Sequence, residues 1–224
     1  MPGLPFGHFQ TRSGPITAAE DNFEIVLTGA GGHVARRHAG NDVLVAACAT
    51  VISLQTVVAR RLNPADIGVV SVTEFITDGT RNALPGHARL MGDARSFQPK
   101  VSAGIERQMR VIAQGTALAY NVTADVTYTR ESVPLVNDAC LVHEAAAAAR
   151  TVFAADDVAT DCEPMTASED FARFLERVPG SFVFVGNGVR SVPLHNPNDG
   201  SNDDGLSLGA EYHAALVRRK LPAG

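Results

Sequence analysis

Between residues 22 and 29 apolar and polar positions alternate. Phe23, Ile25 and Leu27 fall on one side, Glu24, Val26 and Thr28 on the other. A period of two marks a half-buried strand. Ala30-Gly31-Gly32 ends it, because glycine reaches turn angles that other residues avoid. Asn41 or Asp42 is placed to cap the next segment. There Leu44, Ala47, Cys48, Val51, Leu54, Val58 and Leu62 recur at helical spacing until Pro64 closes it. Gly68 to Ile76 is β-branched and predicts a strand, Asp78-Gly79 a turn, and Arg89 to Phe97 the returning strand. Pro99 suits the first turn of a helix whose face is Val101, Ile105, Met109, Ile112 and Thr116. Val122, Ala124, Val126 and Tyr128 then alternate with Thr123, Asp125, Thr127 and Thr129 in a further strand.

The order over residues 22–130 is therefore β-α-β-β-α-β, the ferredoxin-like plan of an antiparallel sheet with two helices on one face. Beyond Pro134 the pattern changes. Asn137-Asp138 can cap an alanine-rich helix running to about residue 154. Thr166-x-x-Glu169 is a capping box, with Ser168 a rival cap, for a helix carrying Phe171, Phe174, Leu175 and Val178. Phe182 to Val185 is wholly apolar, as expected of a strand buried on both faces of a parallel sheet. A last helix is expected from about 205 to 220. Helix, helix, strand, helix cannot close a parallel sheet, even if residues 1–20 add a strand or two. The expected fold class is α/β: a ferredoxin-like domain, residues 22–132, inserted in an incomplete α/β domain made of 1–21 and 133–224. An apolar face near Phe171, Phe174 and Phe182 is then poorly covered.

Composition narrows the function. The 224 residues are 45% hydrophobic and 19% charged, as in globular proteins. The net charge of −5 gives no basic footprint for nucleic acid. An RNA-binding reading of the β-α-β-β-α-β order also lacks the aromatic RNP pattern. The longest apolar stretch, Val43 to Leu54, is shorter than the roughly 20 residues that span a bilayer. The N-terminal residues show neither the charged n-region nor the apolar h-region of a signal peptide. No nucleic-acid or membrane partner is expected. Cys48, Cys140 and Cys162 are odd in number and far apart, which favours reduced thiols and a cytoplasmic location.

Five places carry candidate chemistry. Gly31-Gly32-His33, with His38 beyond, lies where a Gly-rich loop presents backbone N–H groups to an anion, although the P-loop Lys-Ser/Thr is missing and the bare pattern is that of an ordinary turn. Asn82 in Arg81-Asn82-Ala83-Leu84-Pro85 can donate to a developing oxyanion, or serve only the turn before Pro-Gly. Arg95, beside Asp93, can clamp a substrate carboxylate or stand exposed. The carboxylates of Ser168-Glu169-Asp170-Phe171 suit a helix's first turn. His195 in Leu194-His195-Asn196-Pro197 follows a buried strand, where α/β proteins place ligands, and can ligate a metal. One histidine makes no site, since catalytic zinc takes about three protein ligands.

In order, these words resemble the metal-dependent amidohydrolase and carboxypeptidase family that includes hippurate hydrolase, N-acyl-amino-acid amidohydrolase and the indole-acetyl-amino-acid hydrolases. The matching segments are Phe23-Glu24-Ile25-Val26 into Gly29-Ala30-Gly31-Gly32-His33-Val34-Ala35, Leu54 to Arg60, Asn82-Ala83-Leu84-Pro85, Gly92 to Phe97, Ser168 to Phe171, Pro179-Gly180, and Leu194 to Pro197 with Asn202-Asp203. They span nearly the whole chain. The resemblance implies that residues 22–132 are a lid domain that also forms a homodimer, and that the rest is the later part of the catalytic domain. It implies two divalent metals (zinc, or manganese or cobalt), whose bridging water attacks the amide of an N-acyl amino acid. His195 matches a metal-ligand histidine. His33 and Asn82 match lid residues that reach the substrate carbonyl across the dimer. Arg95 matches the arginine that holds the substrate carboxylate.

The departures are as specific. The family's N-terminal half, with its cysteine-x-histidine motif and consecutive glutamates, has no counterpart here. Arg37 and Val43 stand where prolines are common, and Asp199-Gly200-Ser201 replaces an aromatic-acid-aromatic stretch. Two expectations follow: a metal-dependent hydrolase of N-acyl amino acids lacking its first metal-binding half, or a dimerisation module without catalysis.

Overall fold

The computed structural model describes residues 1–192, 196–198, 200 and 202–221. In chain order, the strands before the first helix are β1 (Phe9–Gln10), β2 (Gly14–Thr17), β3 (Ala19–Thr28) and β4 (Gly32–His33). Then come α1 (Val43–Thr56), β5 (Gly68–Thr77), β6 (Ala83–Leu84), β7 (His87–Ser96), α2 (Pro99–Ala119) and β8 (Thr123–Arg130). The remainder holds β9 (Leu135–Asn137), α3 (Ala139–Ala149), β10 (Val158–Ala159), α4 (Phe171–Leu175), β11 (Phe184–Val185) and α5 (Gly205–Lys220). Two compact units result. Ala18–Pro134 with Thr166–Ser168 forms one, and Met1–Thr17, Leu135–Met165 and Glu169–Gly224 the other.

The inserted unit is a four-stranded antiparallel sheet in the order β5-β7-β3-β8. Its helices α1 and α2 cover one face, which is the ferredoxin-like plan. The alternation along β3 sends Phe23, Ile25 and Leu27 into the core, against Leu90 of β7 and Ile105 and Met109 of α2. Each such side chain contributes about 1.5–3 kcal/mol when fully buried. Pro99 opens α2, and the predicted stripe Val101, Ile105, Met109, Ile112 is buried, with Ala117 rather than Thr116 ending it. Gly92 is required where the sheet is tightest. A Cβ there would lie 2.0 Å from the Ser71 carbonyl oxygen and 2.5 Å from the Phe23 ring, beside the register shift between Val72 and Glu74.

A charged residue is buried in this core. Asp21 on β3 accepts hydrogen bonds from Ser102 Oγ (2.5 Å) and Tyr128 OH (2.7 Å), tying α2 and β8 to the first strand of the sheet. Two donors offset part of the desolvation of the carboxylate.

Helix α1 corrects the sequence reading. Asp42 caps it, accepting from the Val45 N–H at 3.1 Å. Its buried side is Val43, Ala46, Ala47, Thr50 and Leu54, while Leu44 and Cys48 of the expected face are exposed. The helix is apolar all round, so periodicity could not choose its inner face. It also does not run unbroken to Leu62. A π-helical turn, Val57–Arg61, closes it, with the Leu62 N–H bonded to the Val57 carbonyl. The joined run Val43–Arg61 is long and apolar enough to cross a membrane by length and composition, which 43–54 is not. Its inner side packs on the sheet as a core helix does.

In the second unit β1 pairs parallel with β10 and antiparallel with β11, and β2 pairs antiparallel with β9. The expectation of a doubly buried parallel strand at 182–185 is thus corrected. Only Phe184–Val185 is extended, its partner is antiparallel, and both residues are half-buried. A short apolar run does not encode its partner's direction. The alanines of α3 make room for the clustered rings of Phe9, Phe153 and Tyr212, whose centroids lie 5.2–6.4 Å apart. Asp138 caps α3, which ends at Ala149 rather than near 154. The expected capping box is absent. Helix α4 starts after Asp170 without a side-chain cap, and Ser168 bonds elsewhere. Phe174 is 64% exposed and stacks at 5.9 Å on Phe171, which in turn contacts Phe182.

Candidate functional site

The turn after β3 is built for one conformation. Gly31 and Gly32 both have positive φ (58° and 143°). A Cβ on Gly31 would press on the Leu84 carbonyl oxygen and the Gly86 nitrogen, each at 3.1 Å. That close approach lets β4 pair antiparallel with β6, Gly32 opposite Leu84 and His33 opposite Ala83. The Val34 N–H then donates to the Asn82 carbonyl at 3.2 Å. Two loops far apart in sequence thereby place His33 and Asn82 side by side along the chain path.

Local hydrogen bonds decide what these two side chains offer. His33 Nδ1 accepts from the Ala35 N–H at 3.1 Å and caps the turn Val34–Ala39. With Nδ1 an acceptor, the proton of the neutral ring sits on Nε2. Asn82 Oδ1 accepts from Thr80 Oγ1 at 3.2 Å, which leaves its amide N–H groups outward. Both residues are exposed. The pair therefore presents N–H donors, the group type that stabilises a developing oxyanion. Asp78 braces the same loop. Its Oδ1 accepts from the His87 N–H at 2.9 Å, and that bond first of all holds its carboxyl below the usual range.

Arg95 is not beside them. It lies at the far end of β7, about 25 Å from His87 at roughly 3.3 Å of rise per residue. Its Nε donates to Asp93 Oδ1 at 2.8 Å, and its Nη1 donates to Ser168 Oγ at 3.0 Å and lies 3.4 Å from Glu20 Oε2. Ser168 Oγ donates in turn to Glu20 Oε2 at 2.5 Å. The arginine is 22% exposed and is faced by two carboxylates. An incoming carboxylate would have to displace one of them. Glu20 escaped the sequence reading, although carrying the β3 alternation back by one period puts it on the side of Asn22 and Glu24. Glu169, next to Ser168, has its carboxyl raised by burial and then by Asp170.

His195 lies outside the described residues. Among the described residues, no group of three or more His, Cys, Asp or Glu side chains could hold a metal ion. They do not make up the two-metal centre that the resemblance implies.

Comparison with known proteins places the chain. Residues 2–219 match the family described as Peptidase family M20/M25/M40. N-acetylcysteine deacetylase of Bacillus subtilis (strain 168) is 31% identical over 218 residues, 96% of this chain and 56% of the relative. Thermostable carboxypeptidase 2 of Saccharolobus solfataricus is 30% identical over 218 residues, 95% of this chain and 54% of its own length. A Bacillus subtilis protein, described as a dinuclear metal binding peptidase from the M20 family, superposes with a TM-score of 0.78 at 26% identity, over 99% of this chain and 56% of its own. The chain spans about half the length of the curated relatives it matches.

Proposed function

The chain belongs to the peptidase family M20/M25/M40, and from that premise we propose that it is part of a cytoplasmic, metal-dependent hydrolase of N-acyl amino acids. Relatives that cleave amide bonds, a deacetylase and a carboxypeptidase, support the reaction class. The observation that carries the reading is the β4–β6 pairing, which sets the His33 and Asn82 donors together on one exposed loop cluster. Such donors act on the oxygen of an amide carbonyl as it gains negative charge, and each contributes about 3–4 kcal/mol to kcat. Arg95 is the proposed carboxylate anchor. His195 is the proposed metal ligand of this segment, with zinc, manganese or cobalt as the metal.

The proposal includes a homodimer through the inserted unit. Leu44, Val45 and Ile52 leave an apolar strip on α1 exposed, and β5 is a ten-residue edge strand. The length of β7 between Arg95 and the His33–Asn82 loops also suits a site in which one protomer's loops serve a substrate held by its partner. Three free thiols, Cys48, Cys140 and Cys162, suit a reducing compartment.

The test is amino-acid release from N-acetylcysteine and N-benzoyl-glycine by a complete enzyme containing this segment, loaded with zinc or manganese. Turnover that falls about 100- to 1,000-fold in His33→Ala and Asn82→Ala supports the reading. A complete, metal-loaded enzyme containing this segment that hydrolyses neither substrate overturns it, and a dimer of this chain without turnover makes the chain alone a dimerisation module.

A further inference from the structure

A hollow lies at the end of the inserted unit away from His33 and Asn82. The π-helical turn Val57–Arg61 faces the start of α2 across a hollow of about 190 Å³. Pockets for drug-sized ligands run to roughly 300–1,000 Å³, so only a small molecule fits. Helical spacing puts Lys100, Gly104, Arg107 and Gln108 on the rim contributed by α2. Arg61 approaches from the opposite side, and its Nη1 donates to Gln108 Oε1 at 2.9 Å. The extra residue of the π turn sets the direction from which Arg61 arrives, and such turns recur at functional positions.

The charge around this hollow is unbalanced. Arg61, Lys100 and Arg107 face a single carboxylate, Asp66, which lies 3.5 Å from Lys100 Nζ and accepts from Gln98 Nε2 at 3.4 Å. Arg107 has no hydrogen-bond or ion-pair partner among the described residues. Two positive charges are left over on a chain whose net charge is −5. Lys100 sits in the first turn of a long helix, where a cation is unfavourable. Beneath the cations the floor is apolar, formed by Val57, Leu62, Val101 and Ile105.

Gly104 is the independent observation. Glycine inside a helix costs about 1 kcal/mol relative to alanine. No packing demands it here, since a Cβ would meet only Arg107 Nη2, at 3.9 Å. What the glycine provides is open space against the helix backbone, directly under a guanidinium. We propose that this hollow binds a small dianion, a phosphoryl group or a short dicarboxylate, held by Arg61, Arg107 and Lys100 against Gly104. This site is separate from the proposed hydrolytic residues and does not depend on them.

The test is a titration of the full chain, labelled with nitrogen-15, at constant ionic strength. The probes are inorganic phosphate and succinate, with acetate as the monoanion control. Saturable amide shifts at Lys100, Gly104 and Arg107 for the dianions, and weaker binding of acetate, are the expected result. Arg61→Gln and Arg107→Gln, both at exposed positions, should each raise the apparent Kd about tenfold. Gly104→Leu, a good helix former that fills the hollow, should abolish the shifts while leaving the fold intact. Non-saturable shifts, equal shifts with acetate, or unchanged affinity in the variants overturn the proposal. Saturation by phosphate alone narrows the ligand to phosphoryl compounds, and by succinate alone to dicarboxylates.

Discussion

Asn137 pairs with both main-chain groups of Phe182. Its Oδ1 accepts the Phe182 N–H at 2.7 Å, and its Nδ2 donates to the Phe182 carbonyl at 2.9 Å. The same Nδ2 reaches the Arg12 carbonyl at 3.0 Å and Thr11 Oγ1 at 3.3 Å. One buried amide thus ties its own strand to two other chain segments, Thr11–Arg12 and Phe182. Asn137→Ala should lower unfolding free energy by about 2–4 kcal/mol, because it orphans buried backbone groups. Asn137→Asp should lose at least as much, since it turns a carboxylate oxygen toward two carbonyls. Denaturant midpoints at unchanged slope measure both, and a wild-type midpoint for Asn137→Ala would refute the role.

The buried carboxylate of Asp21 has two donors, on α2 and β8. Tyr128→Phe and Ser102→Ala should each cost about 1.5–3 kcal/mol, the scale of a hydrogen bond to a charged group. Because both act on one oxygen, their effects should couple rather than add. A double-mutant cycle by chemical denaturation reads that coupling directly, and strict additivity would show that the two bonds are independent.

Alkaline pH should destabilise the fold. Burial pushes the Tyr212 hydroxyl up to about 12, and burial followed by the Asp21 carboxylate raises Tyr128. In the unfolded chain tyrosine ionises near about pH 10. A raised folded-state value means the native state holds its proton longer. The contribution is therefore complete below about pH 10 and is lost as pH rises toward 12. The thermal midpoint should fall across that window, less steeply in Tyr212→Phe. A pH-independent midpoint from 9 to about 12 would contradict the assignment.

Ile52 is 71% exposed on the apolar strip of α1. If that strip is the dimer surface, Ile52→Glu should yield monomer at micromolar concentration while leaving the circular dichroism spectrum unchanged. Sedimentation velocity of the two proteins separates the outcomes. A wild-type monomer, or a variant dimer of unchanged affinity, removes α1 from the interface.

The strands whose two faces differ were legible. Alternation on β3 and β8 placed Phe23, Ile25, Leu27, Val126 and Tyr128 correctly, because burial on one face leaves a period of two. Where an element is apolar all round, as α1 is, composition carries no face. The apolar run at 182–185 likewise held no information about strand direction. At the site, His33 and Asn82 were visible as loop residues. Their nearness depends on a four-residue ladder between β4 and β6, which no local pattern announces. Arg95 was visible too, but not its occupation by Glu20 and Ser168, since those bonds join residues distant in sequence.

Strand β1 draws both its neighbours, β10 and β11, from beyond the inserted unit. On the ribosome, these pairings of Phe9 and Gln10 wait until residues 158 and 184 have followed. The inserted sheet, whose strands all lie between Ala19 and Arg130, has no such wait. Synthesis therefore completes the inserted sheet before the sheet that β1 belongs to, although β1 precedes it in the chain.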